Sequence, residues 1–415
     1  MFTCKKIMIL GGSNFQLPII ARAKEMGLYV ITCDYLPDNP GHRLSDEYYN
    51  VSTTDKEGVL ALATKLNIDA IVTFSSDPAI STVAYVANAL GLSGPSLDAV
   101  TILSEKDKFR ALLSKLGFNV PKSYVVNSAV IPEELMNSNS KFVVKPVDSS
   151  GSKGITYSSA NTSELNHAIE YALENSRAKR CIIEEYIDGD QIHGDGYVQN
   201  GKLIYKYLGD HFFYTKTRNF IPISTRWPCK YYGTRTLDVI INQVEGICNA
   251  IGYMDGPVNI EARVTDLGEV YIIEVSPRNG GNYVPIIQER LTGFDFMSKI
   301  IYSSLGLNLQ ITDRLYNTKV GAYYILHSEK EGIFQDVRIS DKIKDHIFFH
   351  KIFQNQGDAV HEYVGSNTTI GVVLLEFDSI SERDFFMPDI SDFIQVIILQ
   401  YDMFELKMNK STMIY

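Results

Sequence analysis

Through the first 91 residues, short apolar runs alternate with amphipathic stretches at helical spacing, and no other feature constrains the fold as strongly. KKIMILGG predicts a buried strand, NFQLPIIARAKEMG a helix ending at Gly27, and LYVITCDY a second strand with Asp34 at its end. DKEGVLALATKLN predicts a helix, DAIVTFSSD a strand, and PAISTVAYVANALG a helix with Pro78 in its first turn. Such alternation builds a parallel sheet with helices on both faces, and ligands then belong at the carboxyl ends of the strands. Gly11, Gly12, Ser13, Asp34, Ser75, Ser76 and Asp77 fall there. Gly11-Gly12-Ser13 does not fit GxGxxG and reads as a tight turn rather than a dinucleotide cradle. Asp77 is expected to cap the helix it precedes.

A chain of 415 residues predicts about two or three domains. Its 45% hydrophobic content excludes collagen-like and wholly disordered readings. With 49 acidic against 39 basic residues the formal charge is −10, so a positive field for nucleic acid is missing and no nucleic-acid partner is expected. The cysteines Cys4, Cys33, Cys181, Cys229 and Cys248 have neither zinc nor disulfide spacing, which predicts reduced thiols. The run Ile7 to Leu10 is too short for a signal-peptide core, and no stretch reaches the ~18 apolar residues of a membrane span. The expectation is a cytoplasmic protein without a membrane partner.

From about residue 103 the pattern changes. SEKDKFRALLSKLG predicts a helix stopped by Gly117, and KFVVKP and KRCIIEEYI predict strands flanking another helix. From 191 to 275 strands dominate, with one helix, TLDVIINQVEGICNAIG, and a hairpin made of PVNIEARV, the turn TDLGE, and VYIIEV. After about 310, KVGAYYIL and TTIGVVLLEF predict further strands among polar turns.

Four features can carry chemistry. Lys145 ends a strand and is followed by Ser149, Ser150, Gly151, Ser152, Lys153 and Gly154, a small-residue loop whose N–H groups could approach phosphate oxygens. The spacing excludes the P-loop pattern GxxxxGK(S/T), and a plain hairpin tip is the alternative. Glu184-Glu185-Tyr186-Ile187 could offer backbone groups to an adenine ring, or could simply end a strand. In VNIEARV, alternation places Asn259, Glu261 and Arg263 on one face, and the turn brings Glu274 back beside Glu261. Two converging carboxylates repel unless a cation lies between them, and hard oxygen ligands suit magnesium. Arg278 follows, placed for an anionic oxygen; a salt-bridge ladder of Glu261 and Glu274 with Arg263 and Arg278 is the alternative. The fourth feature is the charged helix start Ser104 to Arg110.

In this order and at these separations, the four features resemble the ATP-grasp superfamily from about Ile102 to Leu305, in its carboxylate–amine ligase type. That type includes carbamoyl phosphate synthetase, purine-biosynthesis enzymes and L-amino acid ligases. The resemblance implies an α/β and α+β multidomain fold. Residues 1–102 would form the preceding doubly wound parallel-sheet domain and 103–310 the ATP-grasp domain. About 120–187 would be the mobile small subdomain with the glycine-rich loop, and 311–415 a mixed C-terminal subdomain.

The resemblance also implies roles. Lys106 and Lys145 would contact nucleotide, Ser149, Ser150, Gly151, Ser152 and Gly154 would cover the phosphates, and Glu184, Glu185, Tyr186 and Ile187 would hold adenine. The family's acidic ribose ligand is replaced by Gln191, beside Asp190. Glu261 and Glu274 match the metal carboxylates, and Ser276 stands where the family usually has a third, asparagine ligand. Arg278 and Lys145 match the catalytic cations. The implied cofactors are ATP and one or two Mg2+ ions, with Mn2+ as an alternative.

The implied reaction activates a carboxylate as an acyl phosphate, releases ADP and phosphate, and joins the acyl group to an amine. A phosphotransferase without ligation and a nucleotide-binding regulator are the alternatives. The partners would be small carboxylates and amines, and a second copy of the chain in a homodimer. His211, Lys216, Arg218 and Arg226, in a segment dense in aromatic and basic residues, are candidates for substrate contact, as are Asn279, Gly280 and Gly281.

Overall fold

The computed structural model describes residues 5–135, 140–158, 162–217, 219–309 and 318–400. Strands β1 (Lys6–Leu10), β2 (Tyr29–Cys33), β3 (Glu47–Tyr49) and β4 (Ala70–Thr73) form a four-stranded parallel sheet in the order β3-β2-β1-β4. Helices α1 (Leu17–Glu25), α2 (Lys56–Leu66) and α3 (Asp77–Leu90) connect or follow them. The strands are apolar along their whole length because both faces are covered. Ile7 and Ile9 pack toward α1, whereas Met8 and Leu10 pack toward α2 and α3. Asp55 caps α2 by accepting from the Gly58 N–H at 3.0 Å. In α3 the expectation for Asp77 is corrected: Ser76 occupies the cap position and Asp77 is the first helical residue. Its carboxylate is turned onto Arg278 instead.

The helix predicted over Ser104 to Gly117 forms over Lys106–Lys115, and a separate helix not predicted from the sequence precedes it. α4 (Leu97–Ser104) stops at Glu105, whose extended backbone restarts the chain as α5 (Lys106–Lys115). Beyond it lies a small antiparallel sheet with its own core, made of β5 (Ser123–Val126), β6 (Phe142–Pro146), β7 (Thr156–Ser158) and β8 (Cys181–Glu185) in the order β5-β8-β6-β7. Helix α6 (Thr162–Glu174) packs on it.

The largest sheet is antiparallel. It contains β9 (Asp190–Gln199), β10 (Lys202–Phe213), β11 (Pro222–Trp227), β12 (Asp255–Val264), β13 (Val270–Ser276) and β14 (Val320–Leu326). Strands β15 (Gly332–Ile339), β16 (Ile347–Ile352), β17 (Ala359–Val360), β18 (Gly371–Phe377) and β19 (Ile394–Leu399) complete the described chain. The order is β13-β12-β9-β10-β11-β14-β18-β16, while β17-β15-β19 form a separate small sheet. Strands from beyond residue 317 therefore extend the sheet begun at β9. The boundary expected at 310/311 itself lies outside the described residues.

One face of the large sheet is sealed by α7 (Arg235–Ala250), and α8 (Val284–Thr292) and α9 (Phe296–Ser304) pack on the other, between it and the parallel sheet. The four described cysteines are free and buried. Among the described residues no helix is long and apolar enough to cross a membrane.

Candidate active site

The β12–β13 hairpin sets Glu261 opposite Glu274, as expected, by way of a register shift between Glu261 and Ala262. Val258, Ile260, Ala262 and Val264 are fully buried toward α7. Alternation therefore turns Asn259, Glu261 and Arg263 to the opposite face, where they line a cavity of about 450 Å³. β9 adds a matching row, with Gln191 opposite Arg263, His193 opposite Glu261 and Asp195 opposite Asn259. His193 and Asp195 were not anticipated from the sequence; their every-other spacing after Gln191 was the available signal.

Among the described residues neither cavity carboxylate forms an ion pair with lysine or arginine. Glu261 accepts from Gln191 Nε2 at 3.2 Å, and Glu274 accepts from the Ser276 hydroxyl at 2.6 Å. No ladder forms. Arg263 donates to Gln191 Oε1 and to the Ile187 carbonyl, and its guanidinium lies 4.7 Å from the Tyr186 ring. Arg278 is held by Asp77 through two 2.7 Å bonds. Burial, and then the Glu274 carboxylate, push the Glu261 carboxyl up to about 7. Two facing carboxylates that no described lysine or arginine contacts directly, with Lys145 and Arg278 lowering the Glu261 carboxyl only from a distance, fit a divalent cation. Among the described residues no three His, Cys, Asp or Glu side chains converge, so phosphate oxygens and water would have to complete such a shell. Ser276, the expected third ligand, has its hydroxyl committed to Glu274.

Lys145 and Glu184 meet at 2.8 Å, and Arg110 reaches the same carboxylate through Nε at 2.6 Å. Arg110 also donates to the Ile273 carbonyl at 2.9 Å, tying α5 to β13. Burial alone would raise the Glu184 carboxyl, but the Arg110 and Lys145 charges outweigh it and bring it down to about 2. Burial lowers the Lys145 amine. Arg110 was not anticipated from the sequence; its i, i+4 spacing from Lys106 on one helix was the sign available. In the Glu184–Ile187 segment the N–H groups of Glu185 and Tyr186 are taken up by the Lys122 and Lys141 carbonyls.

The loop after β6 folds over the cavity. Lys106 Nζ donates to the Ser149 carbonyl at 2.9 Å, and the Ser152 hydroxyl donates to the Phe220 carbonyl at 2.9 Å. Gly154 has φ +78°, and a Cβ there would lie 2.5 Å from Pro146 Cγ, so the turn requires glycine.

Of the substrate candidates, His211 and Gly281 line the cavity. Asn279 is fully buried and bonds Ser75 from both amide atoms, while the Gly280 N–H donates to Asp195 at 2.7 Å. The Arg278–Gly281 turn is thus tied to both the parallel-sheet domain and β9. Arg226 lies outside the cavity: Nη2 donates to the Met387 carbonyl, and the guanidinium stacks 3.9 Å from the Phe212 ring. Lys216 pairs with Glu329, also outside it. Arg218 is outside the described residues.

Residues 138–285 match the ATP-grasp domain model. Over 190 residues the chain is 30% identical to the formate-dependent phosphoribosylglycinamide formyltransferase of Prochlorococcus marinus (strain NATL2A), covering 45% of this chain and 49% of that relative. Over 243 residues it is 27% identical to the carbamoyl phosphate synthase large chain of Thermoanaerobacter sp. (strain X514), covering 58% of this chain and 22% of the relative. The chain therefore spans about half the length of the first curated relative and less of the second. Among solved structures, the L-amino acid ligase from Bacillus licheniformis superposes with a TM-score of 0.83 at 22% identity, covering 96% of this chain and 100% of that one. Residues 138–285 thus match the ATP-grasp domain, and over nearly its whole length the chain shares the fold of the L-amino acid ligase structure.

Proposed function

We propose that the protein is an ATP-dependent ligase that activates a small carboxylate as an acyl phosphate and joins it to an amine. The observation that carries this reading is the Glu261–Glu274 pair, set face to face and, among the described residues, without a direct ion pair, in the cavity that also holds Lys145 and Arg278. Glu261 and Glu274 would hold a divalent ion, with Ser276 orienting Glu274; the ion would offset charge on the nucleotide phosphates. Lys145 and Arg278 supply fixed positive charge where the transferring phosphoryl group needs it. Lys106 supports the loop Ser149 to Gly154, whose N–H groups cover the phosphates and whose closure keeps water from the acyl phosphate. The adenine is assigned to Glu184–Ile187 and the ribose to Gln191.

The carboxylate oxygen attacks the γ-phosphorus, ADP leaves, and the amine then displaces phosphate at the acyl carbon. No side-chain nucleophile is needed. Incubation with ATP, Mg2+, pooled carboxylates and hydroxylamine tests the reading. Equal amounts of ADP, phosphate and hydroxamate support it. ADP without free phosphate places the phosphoryl group on an acceptor and overturns it.

A further inference from the structure

A chain of buried polar side chains on β9 to β12 is left unused by the carboxylate pair and by the phosphate-side cations. It runs from Asp195 through Asn259, His193 and Thr225 to His211, each less than a tenth exposed. Its proton positions follow from its partners. The Asn259 amide nitrogen lies 2.8 Å from Asp195 Oδ1 and 3.3 Å from the Gly194 carbonyl, two acceptors, so the NH2 group is on that side. One amide proton goes to Asp195 Oδ1, and the other is directed to His193 Nε2 at 3.0 Å, with the Gly194 carbonyl the more distant acceptor. An amide NH2 cannot accept, so Nε2 does. A neutral imidazole accepting at Nε2 carries its proton on Nδ1. His193 Nδ1 lies 3.2 Å from Thr225 Oγ1 and donates to it. The Tyr323 phenol also faces Thr225 but lies outside hydrogen-bond geometry, so the single hydroxyl proton of Thr225 is directed to His211 Nδ1, 2.7 Å away. His211 accepts at Nδ1, so its own proton sits on Nε2.

Burial keeps both rings neutral, lowering His193 to about 3 and His211 well below its ordinary value. His211 Nε2 has no hydrogen-bond partner among the described residues, although His211 is only 6% exposed and lines the cavity together with Arg278. A buried donor left unmet is costly, and a ligand oxygen would satisfy it.

Resting on the ligase reading, we infer that His211 binds the carboxylate substrate, its neutral Nε2–H donating to an oxygen of the group to be activated. The Asn259–His193–Thr225 relay fixes the proton there. A donor at this point accepts an oxygen and rejects an ammonium group, which needs an acceptor. It also removes His211 as the base for the incoming amine, because that role needs a bare Nε2 lone pair. The imidazole neither gains nor loses a proton in the reaction.

Nitrogen NMR of the 15N-histidine-labelled protein near neutral pH reads the tautomer directly, with His211→Gln identifying the signals. The expected result is a protonated Nε2 and a bare Nδ1. In the hydroxamate assay, His211→Phe is expected to raise the carboxylate KM about tenfold with the ATP KM unchanged, and His211→Gln, whose amide can donate, to recover part of the loss. A protonated Nδ1 with bare Nε2, an imidazolium, or an unchanged carboxylate KM in His211→Phe overturns the inference. Equal kcat losses in the Gln and Phe variants without a KM effect would identify a base and overturn it too. Absence of hydroxamate from the wild type would overturn the ligase reading and the substrate assignment with it. The tautomer spectrum, which needs no substrate, separates that failure from failure of the relay.

Discussion

Arg278 and Asp77, 201 residues apart, are joined by two hydrogen bonds of 2.7 Å, so the helix that follows the parallel sheet orients a cation of the cavity. Both carboxylate oxygens face the guanidinium, the bidentate geometry that fixes direction as well as charge. Asp77→Asn keeps the size of the side chain and removes the charge. Its expected effect is a fall in kcat of roughly ten- to hundredfold, with little change in nucleotide affinity. Steady-state kinetics beside a nucleotide titration check this. Unchanged kcat would show that Arg278 needs no support from Asp77.

Glu184 sits at the meeting of Arg110 and Lys145, and its side chain is 3% exposed. Glu184→Gln leaves two buried cations without their counter-ion, and the expected loss of stability is about 3–5 kcal/mol in denaturant unfolding. The sign with pH is definite. The folded carboxyl is depressed to about 2, so its contribution is present above the ordinary carboxylate range and is lost as pH falls toward that value. Acid unfolding of the variant should therefore be flatter than that of the wild type over this window.

Glu261 shifts the other way. Its folded carboxyl is raised to about 7, so protonated Glu261 favours folding at low pH and this contribution is lost as pH rises through 7. Asp195, raised to about 7 mainly by burial, acts in the same direction. The Tm of metal-free protein is expected to fall between about pH 5 and pH 8. Mg2+ with ATP should raise Tm most at the upper end, where the ligand carboxylates are already ionised. Glu261→Gln should flatten the metal-free profile and remove most of the Mg2+-dependent rise; scanning calorimetry with and without a chelator decides it.

Gly154 turns the loop at φ +78° with Pro146 close by. Gly154→Ala combines an unfavourable backbone with a steric clash, and a stability loss of about 1–2 kcal/mol is expected. Weaker ATP binding should accompany it, because the loop can no longer settle on the Phe220 carbonyl through Ser152. Isothermal titration with ATP measures the change.

The parts of the site that are legible in the sequence are those with short-range geometry. Alternation in VNIEARV and the five-residue turn TDLGE bring Glu274 back near Glu261, but the regular register from the turn would set Glu261 opposite Ile273. A β-bulge between Glu261 and Ala262, not legible in the sequence, makes the two carboxylates direct partners. The strand–helix order of residues 5–91 is likewise short-range and specifies the parallel sheet. The Arg278–Asp77 and Arg110–Glu184 pairs are not legible, because each joins elements whose docking no local period encodes. Asp77 reads as a cap because its position before an apolar helix is compatible with both roles. The His193–Thr225–His211 relay depends on the order β12-β9-β10-β11, in which β9 separates β10 from β12 although β10 follows it directly in the chain. Arg226 reads as a substrate contact from its basic, aromatic neighbourhood, but its alternation on β11 turns it away from the cavity to Phe212 and Met387.

The most direct test of an acyl phosphate is to follow an oxygen atom. With a carboxylate substrate identified by the hydroxamate assay and labelled with 18O in both carboxylate oxygens, one oxygen should pass to phosphorus when the amine displaces phosphate. Mass spectrometry should then find one 18O in each phosphate released, in step with ADP and the amide product. Unlabelled phosphate, or label retained wholly in the carboxylate while ADP accumulates, would contradict activation of the carboxylate by this site.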